Sequence, residues 1–348
     1  MARASTGARL HFGFCNLSLS HERLYGALGV GLREPRVVVD AEPADRVSVR
    51  TADGDDFAAD SRDSNSTDST NSTDPAVIDD VLAYAGIATD LLGVEGARVT
   101  LRESLPRHAG LGSGTQLAAA TLAAVAVAHG VEPRIRARAP VLGRGGRSGV
   151  GVATFETGGF VLDAGHPTAR FTTDRPADGE WTVPPVAARH EVPDDWRFLL
   201  VRPDVGPGRN GDAEDDAMRT AVERADPGLA DRIGGIVTRR VLPAVATGNA
   251  ERFGAAVAEI GRLNGAWYAD EQGGVYRPPV GDVVASLSGS AAVFGAGQSS
   301  WGPTVYGVTD AANADAAANA GERALDEAGV AGSVSVVRAA DRGARVTE

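Results

Sequence analysis

The stretch Pro106-Arg107-His108-Ala109-Gly110-Leu111-Gly112-Ser113-Gly114-Thr115-Gln116 sets three glycines, two hydroxyls and an amide in front of an apolar run over residues 117–129. Glycine lets a backbone approach a ligand closely and adopt positive φ. A helix start presents unpaired N–H groups carrying a partial positive charge. A strand pattern over residues 97–103 precedes the loop, so the order is strand, glycine loop, helix N-terminus. That order suits a phosphate or another anion. Gly110, Leu111, Gly112, Ser113, Gly114, Thr115 and Gln116 are therefore the candidate phosphate-binding residues, against the plainer reading of a tight turn and helix cap.

Three further stretches carry chemistry. In Leu142-Gly143-Arg144-Gly145-Gly146-Arg147-Ser148-Gly149-Val150-Gly151 two arginines can fork onto phosphate or carboxylate oxygens. The carboxylates of Glu156 and Asp163 are candidate ligands for a divalent metal, or surface charges. The segment Gly295-Ala296-Gly297-Gln298-Ser299-Ser300-Trp301-Gly302-Pro303-Thr304 is a second small-residue loop. Its Gly297, Gln298, Ser299, Ser300 and Trp301 are expected to face the first loop across a cleft. Trp301 can equally be a packing anchor. His11, inside the strand pattern Leu10-His11-Phe12-Gly13-Phe14, is either a catalytic group, with Arg144, Arg147 and Glu156, or a core histidine. The six histidines show no zinc-type spacing.

Composition narrows the class. The chain has 348 residues, enough for one large or two modest domains. No run of eighteen apolar residues occurs, and the start lacks the apolar stretch of a signal peptide, so a cytoplasmic protein without membrane spans is expected. One cysteine, Cys15, leaves no internal disulfide. The net charge is −12, and all 34 basic residues are arginine. Such an acidic, lysine-free surface is that of a salt-adapted, halophilic cytoplasm, and it argues against nucleic acid as a partner. Without lysine, neither a Walker A loop nor Schiff-base chemistry is possible. Charge neutralisation falls to arginine, a metal or backbone N–H groups.

The elements that must position these residues follow from pattern. Strands are expected at residues 8–14, 36–40, 46–51 and 97–103, and an apolar glycine-rich segment at 25–32. Residues 53–74, rich in Asp, Ser, Thr and Asn, read as a disordered acidic loop. Asp74-Pro75 opens a helix to about residue 92. The run after the glycine loop is apolar nearly all round and so is expected to be a buried helix. Residues 150–155 and 159–163 read as a hairpin. A stretch over 167–193 bridges to a second half with a strand at 196–201, helices at 212–224, 229–246 and 249–263, a strand at 291–294, and a closing strand, helix and strand over 305–338. Domains are expected at 1–170 and 190–348, in an α+β class.

Residues 106–116 resemble the signature loop of the GHMP kinase superfamily, and residues 295–304 stand where that family has its C-terminal glycine loop. The resemblance implies a two-domain α+β fold, with a β-rich N-terminal domain and a ferredoxin-like C-terminal domain. Several such kinases carry Ser-Gly-Val-Asp, whose aspartate is a base. Here Ser148-Gly149-Val150 is followed by Gly151. Five motifs, at 10–14, 110–116, 147–151, 155–163 and 297–304, are similar to one archaeal branch, the β-ribofuranosylaminobenzene 5′-phosphate synthases. That resemblance implies a decarboxylating phosphoribosyltransferase. It joins 4-aminobenzoate or 4-hydroxybenzoate to phosphoribosyl pyrophosphate with Mg2+, early in methanopterin-type cofactor synthesis. It implies small-molecule partners and a homodimer. An ATP-dependent small-molecule kinase and a non-catalytic ligand-binding member are the alternatives.

Overall fold

The computed structural model describes residues 1–52, 54, 56–58, 74–169, 171, 176–208 and 211–348. Most of the expected acidic loop, including both Asn-Ser-Thr triplets, lies outside the described residues. Its early part is a short strand, not a loop.

The N-terminal half is built on β1 (Ala2–Asn16) and β2 (Arg23–Pro43), two long antiparallel strands. Inward positions of β1 alternate with half-covered ones, as a sheet with one buried face requires. The strands β3 (Ser48–Thr51), β4 (Asp56–Ala58) and β5 (Ala97–Glu103) extend the sheet in the order β1-β2-β5-β3-β4. Two helices cover it. The first, α1 (Pro75–Leu92), begins where Asp74 accepts the Ala76 N–H at 3.0 Å and ends at left-handed Gly93. The second, α2 (Ser113–Ala128), is buried from Gln116 to Ala126, as its all-round apolar sequence demands.

After α2 come α3 (Ile135–Arg138), α4 (Val150–Thr157), β6 (Phe160–Asp163), β7 (His166–Pro167) and β8 (Val186–His190). Residues 150–155 are helical, not one arm of a hairpin. The helix start is held from both sides: Ser148 Oγ accepts the Val150 N–H at 3.2 Å, and Asp163 accepts the Gly149 N–H at 2.8 Å. Burial of Val150 to Phe155 then overrides the strand preference of the β-branched residues.

The second half runs β9 (Trp196–Pro203), α5 (Gly211–Arg224), α6 (Pro227–Ile236), a π-wound turn (Val237–Val241), α7 (Leu242–Ala246), α8 (Ala250–Trp267), α9 (Ala269–Gln272), α10 (Val280–Ser288), β10 (Gly295–Gln298), β11 (Val305–Asp310), α11 (Ala314–Glu327), β12 (Gly332–Val337) and β13 (Arg345–Thr347). Its own sheet has the order β10-β11-β9-β12. Residues 291–294 are a turn, and the strand there starts at Gly295. A Cβ at Gly295 would stand 2.0 Å from the Gly254 carbonyl, so α8 lies directly on the backbone of β10. The second glycine stretch is thus half strand and half loop.

The halves share a core. Phe12 of β1 meets Phe253 of α8 and Tyr306 of β11 edge to face, at centroid distances of 5.7 and 4.9 Å. The last strand, β13, returns to pair with Arg3, Ala4 and Ser5 of β1.

Candidate functional site

The two glycine loops touch. Ser299 Oγ accepts the His11 N–H at 3.1 Å and donates to the Gly110 carbonyl at 2.7 Å. The Thr304 N–H donates to Ala109, and the Ser300 N–H to the His11 carbonyl. Gly110 has φ +80°, and a Cβ there would stand 2.2 Å from the Ser299 carbonyl. Only glycine permits this docking. It seats the first loop on β1 and on the end of β10.

Above this seat lie two adjoining cavities of about 400 and about 280 Å³. Gly110, Gly112, Ser113, Gly114 and Thr115 line the larger one, at the start of α2. Leu111 and Gln116 do not; both are buried in the core. Gln116 accepts from Thr6 Oγ1 at 2.7 Å and donates to the Gly151 carbonyl at 2.9 Å, so it ties β1, α2 and α4 together.

Besides Arg107 on the rim, three arginines line the cavities. Arg144 and Arg9 line both, and Arg147 lines the smaller. Each has a buried Nε without a hydrogen-bond partner. Arg144 lies over the Tyr84 ring, 5.3 Å from its centroid, and donates to the Tyr84 hydroxyl. Its guanidinium occupies the space a side chain at Gly114 would need, since a Cβ there would meet Arg144 Nη1 at 2.9 Å. Glycine at 114 thus leaves room for a cation at the start of α2. Gly112 does the same for Arg9, whose Cγ stands 2.7 Å from the Cβ position. Burial pushes Arg9 down to about 10, against the pull of Glu214, so it stays charged at neutral pH.

Arg147 pairs with Glu214 at 2.9 Å and with Asp215, both on α5. Burial works against its charge, yet Glu214 and its neighbours hold it above the usual arginine range. Arg107 pairs with Asp80 at 2.9 Å on the rim. Arg9, Glu214 and Asp215 line the site without being among the residues that the sequence singles out. A charge inside the otherwise apolar pattern of residues 8–14 was the available sign for Arg9. Glu214 sits in an acidic run that looks like any solvated helix face.

His11 and Trp301 both line the smaller cavity. Burial, then the Arg9 charge, pushes His11 down to about 3, which leaves a neutral imidazole. Of the second loop, Ser300 lines both cavities, Ser299 is fully buried, and Gly297 lies against the Tyr306 ring. Gln298 donates to the Ser300 carbonyl and so shapes the turn.

The suggested metal pair is not in the cleft. Glu156, at the end of α4, is bound to Arg136 at 2.7 Å. Asp163 is buried, and it accepts from Gly149, Gly165 and Ser148. Its carboxylate is filled by the α4 start. Neither residue lines the cavities, and among the described residues no cluster of three or more His, Cys, Asp or Glu is placed to hold a metal. These two residues do not fit a magnesium site, for want of free oxygens facing the cleft.

Position 151 carries no side chain, and its space is tight. A Cβ on Gly151 would stand 3.0 Å from Thr115 Cγ2, so a larger residue there would need the Thr115 side chain to give by a few tenths of an ångström.

Residues 77–159 match the GHMP kinases N terminal domain, and residues 241–327 match GHMP kinases C terminal. Beta-ribofuranosylphenol 5'-phosphate synthase from Methanothermobacter thermautotrophicus is 33% identical over 310 residues, spanning 88% of each chain. The chain belongs to the beta-ribofuranosylphenol 5'-phosphate synthase family. The Methanocaldococcus jannaschii member is 28% identical over 98% of both chains. Among solved structures, Lactococcus lactis galactokinase has a TM-score of 0.66 at 12% identity, covering 99% of this chain and 94% of that one. Homoserine kinase from Cytophaga hutchinsonii has a TM-score of 0.60 at 18% identity, covering 100% and 97%. The fold is thus the two-domain GHMP-kinase-like α+β arrangement, with a β-rich N-terminal domain and a ferredoxin-like C-terminal one. No helix among the described residues is long and apolar enough to cross a membrane.

Proposed function

We propose that this family member transfers a 5-phosphoribosyl group from phosphoribosyl pyrophosphate to the ring of a para-substituted benzoate, either 4-hydroxybenzoate or 4-aminobenzoate. Carbon dioxide and pyrophosphate leave, and a β-C-riboside 5′-phosphate forms. The relatives are beta-ribofuranosylphenol 5'-phosphate synthases, which favours the phenol product. The observation that carries the reading is a glycine loop with Arg9, Arg144 and Arg147 around it, and Gly151, which has no carboxylate, where a kinase would keep its base.

The electron count explains why no base is needed. The ring carbon bearing the carboxylate gives its π pair to C1 of the ribose. The C1–oxygen pair leaves with pyrophosphate. The carbon–carboxylate pair returns to the ring as carbon dioxide departs. No proton is gained or lost between reactants and products. The transition state is cationic at C1, and negative charge builds on the leaving diphosphate. Preorganised cations placed where that charge develops are the main help a protein can give. Arg9, Arg144 and the α2 start supply them. Arg147 takes a phosphate or the benzoate carboxylate when it exchanges Glu214 and Asp215. Neutral His11 borders the reacting space without competing for the anions. Glu156 and Asp163 would offer no cage to magnesium, which the family resemblance implies, and no step here is assigned to it.

The test is product identity. In high salt with Mg2+, phosphoribosyl pyrophosphate and each benzoate should give a C-riboside 5′-phosphate by mass spectrometry and NMR. ATP with either acid should give no ADP. Substrate-dependent ADP formation without riboside would replace this reading with a kinase.

A further inference from the structure

A third, narrower pocket opens beside the arginine cavity and shares His11, Phe14, Ser300 and Trp301 with it. It holds room for roughly four waters, about one planar ring. Its walls are aromatic: Phe14, Tyr268, Trp301 and Tyr276. Tyr268 and Trp301 lean on each other at 4.7 Å between centroids. The wall is stiff, because the Asn264 side chain accepts the Phe14 N–H at 2.6 Å and donates to the Phe14 carbonyl at 2.9 Å. Gly13, at φ +138°, makes this clamp possible, since a Cβ there would stand 2.8 Å from the Asn264 amide.

One polar group in this pocket is unexplained. The Tyr276 hydroxyl is buried and has no hydrogen-bond partner. It sits by the Gly261 wall, 3.5 Å from where a Cβ of residue 261 would be. A buried hydroxyl left unpaired costs free energy unless something else pairs with it.

We propose that this pocket seats the aromatic acceptor, and that Tyr276 selects a para-oxygen substituent by donating to it. The inference rests on the phosphoribosyl-transfer reading and adds the acceptor's place and the residue that reads its para substituent. With its ring between Phe14 and Trp301, the acceptor turns its carboxylate-bearing carbon toward the mouth shared with the arginine cavity. Its para substituent then lies at the far end, by Tyr276. Tyr276 is a donor there: burial pushes its phenol up to about 12, so it keeps its proton. A phenol oxygen offers a lone pair in the ring plane. An aniline nitrogen has its only lone pair drawn into the ring and accepts poorly. The pocket therefore favours 4-hydroxybenzoate over 4-aminobenzoate.

The test compares kcat/KM for the two acids in the wild type, Tyr276→Phe and Gly261→Ala. The wild type should favour the hydroxy acid by about tenfold, the worth of one hydrogen bond. Tyr276→Phe should keep the wild-type melting temperature and bring the ratio close to one, with KM for phosphoribosyl pyrophosphate unchanged. Gly261→Ala fits the helix and sets a methyl over the hydroxyl; it should raise KM for both acids and leave the phosphoribosyl donor unaffected. A Tyr276→Phe ratio equal to wild type, or a Gly261→Ala effect confined to the donor, overturns the proposal. Quenching of tryptophan fluorescence by 4-hydroxybenzoate alone separates the two readings. If it binds, with Gly261→Ala weakening it, while no riboside forms with any acid, the pocket stands and the transfer reading falls. If riboside forms but Gly261→Ala leaves acceptor binding and KM untouched, the transfer reading stands and the pocket falls.

Discussion

Arg9 shows what one residue contributes to this cleft. It reaches from β1 under the glycine loop, and its Nη1 donates to the Gly110 carbonyl at 3.1 Å while its Nε stays unpaired. A buried cation with an unused donor is costly in the free protein and repaid by an anion. Arg9→Gln should therefore weaken pyrophosphate binding by about 10- to 100-fold, the worth of a charge-assisted hydrogen bond, without lowering the ligand-free melting temperature. Calorimetric titration and a thermal scan check both halves. Unchanged affinity would remove Arg9 from the anion site. Loop residues such as Gly112 and Ser113 were legible in the sequence because their chemistry is local: glycine, hydroxyl and helix start follow one another. Arg9 was not, because its partner lies 101 residues away and only the sheet brings them together.

The helix α5 acts as a counterweight. Glu214 and Asp215 hold the Arg147 fork. On the proposed function, a phosphate that reaches Arg147 competes with them. Glu214→Gln keeps the shape and removes the competing charge, so pyrophosphate should bind about 2- to 5-fold tighter, the worth of one half-exposed ion pair. Weaker binding would mean instead that Glu214 helps to hold the ligand. Helix α4 marks the limit of pattern reading among the elements. Its Val-Gly-Val-Ala-Thr-Phe run has the residue types of a strand. What makes it helical is Asp163, which follows in β6 and accepts at the helix start, together with burial against β2 and α2. By contrast, α1 was legible from its Asp74-Pro75 cap and α2 from its all-round apolar run, both local signals. Glu156 looked like a metal ligand beside Asp163 in sequence, yet α4 carries it to Arg136.

Over the whole molecule, the shared core and the return of β13 to β1 join both ends of the chain to one sheet. No local pattern announced that closure, since three residues of strand at the terminus carry almost no signal. Buried titratable groups make this body sensitive to acid. Burial pushes His11 and His166 down to about 3 and about 4, while the unfolded chain protonates histidine near 6.5. As pH falls below 6.5 the unfolded state takes up protons that the folded state refuses, and stability is lost. Asp163, pushed up to about 6 by burial from 3.8, acts in the opposite sense, its contribution fading as pH rises through 6. Two histidines outweigh one carboxyl, and Asp40 and Glu259, held low by their arginine partners, add to the loss in acid. The melting temperature at fixed high salt should rise from pH 4 to about 6.5 and then level. A maximum near pH 4 would contradict this. The central claim is that a kinase fold here holds phosphates without passing one on. Its most direct measurement is the ratio of carbon dioxide to pyrophosphate released from carboxyl-labelled 4-hydroxybenzoate and phosphoribosyl pyrophosphate. We expect equal amounts, released together and without ATP; pyrophosphate release with the carboxyl label retained, or no turnover until ATP is added, would contradict it.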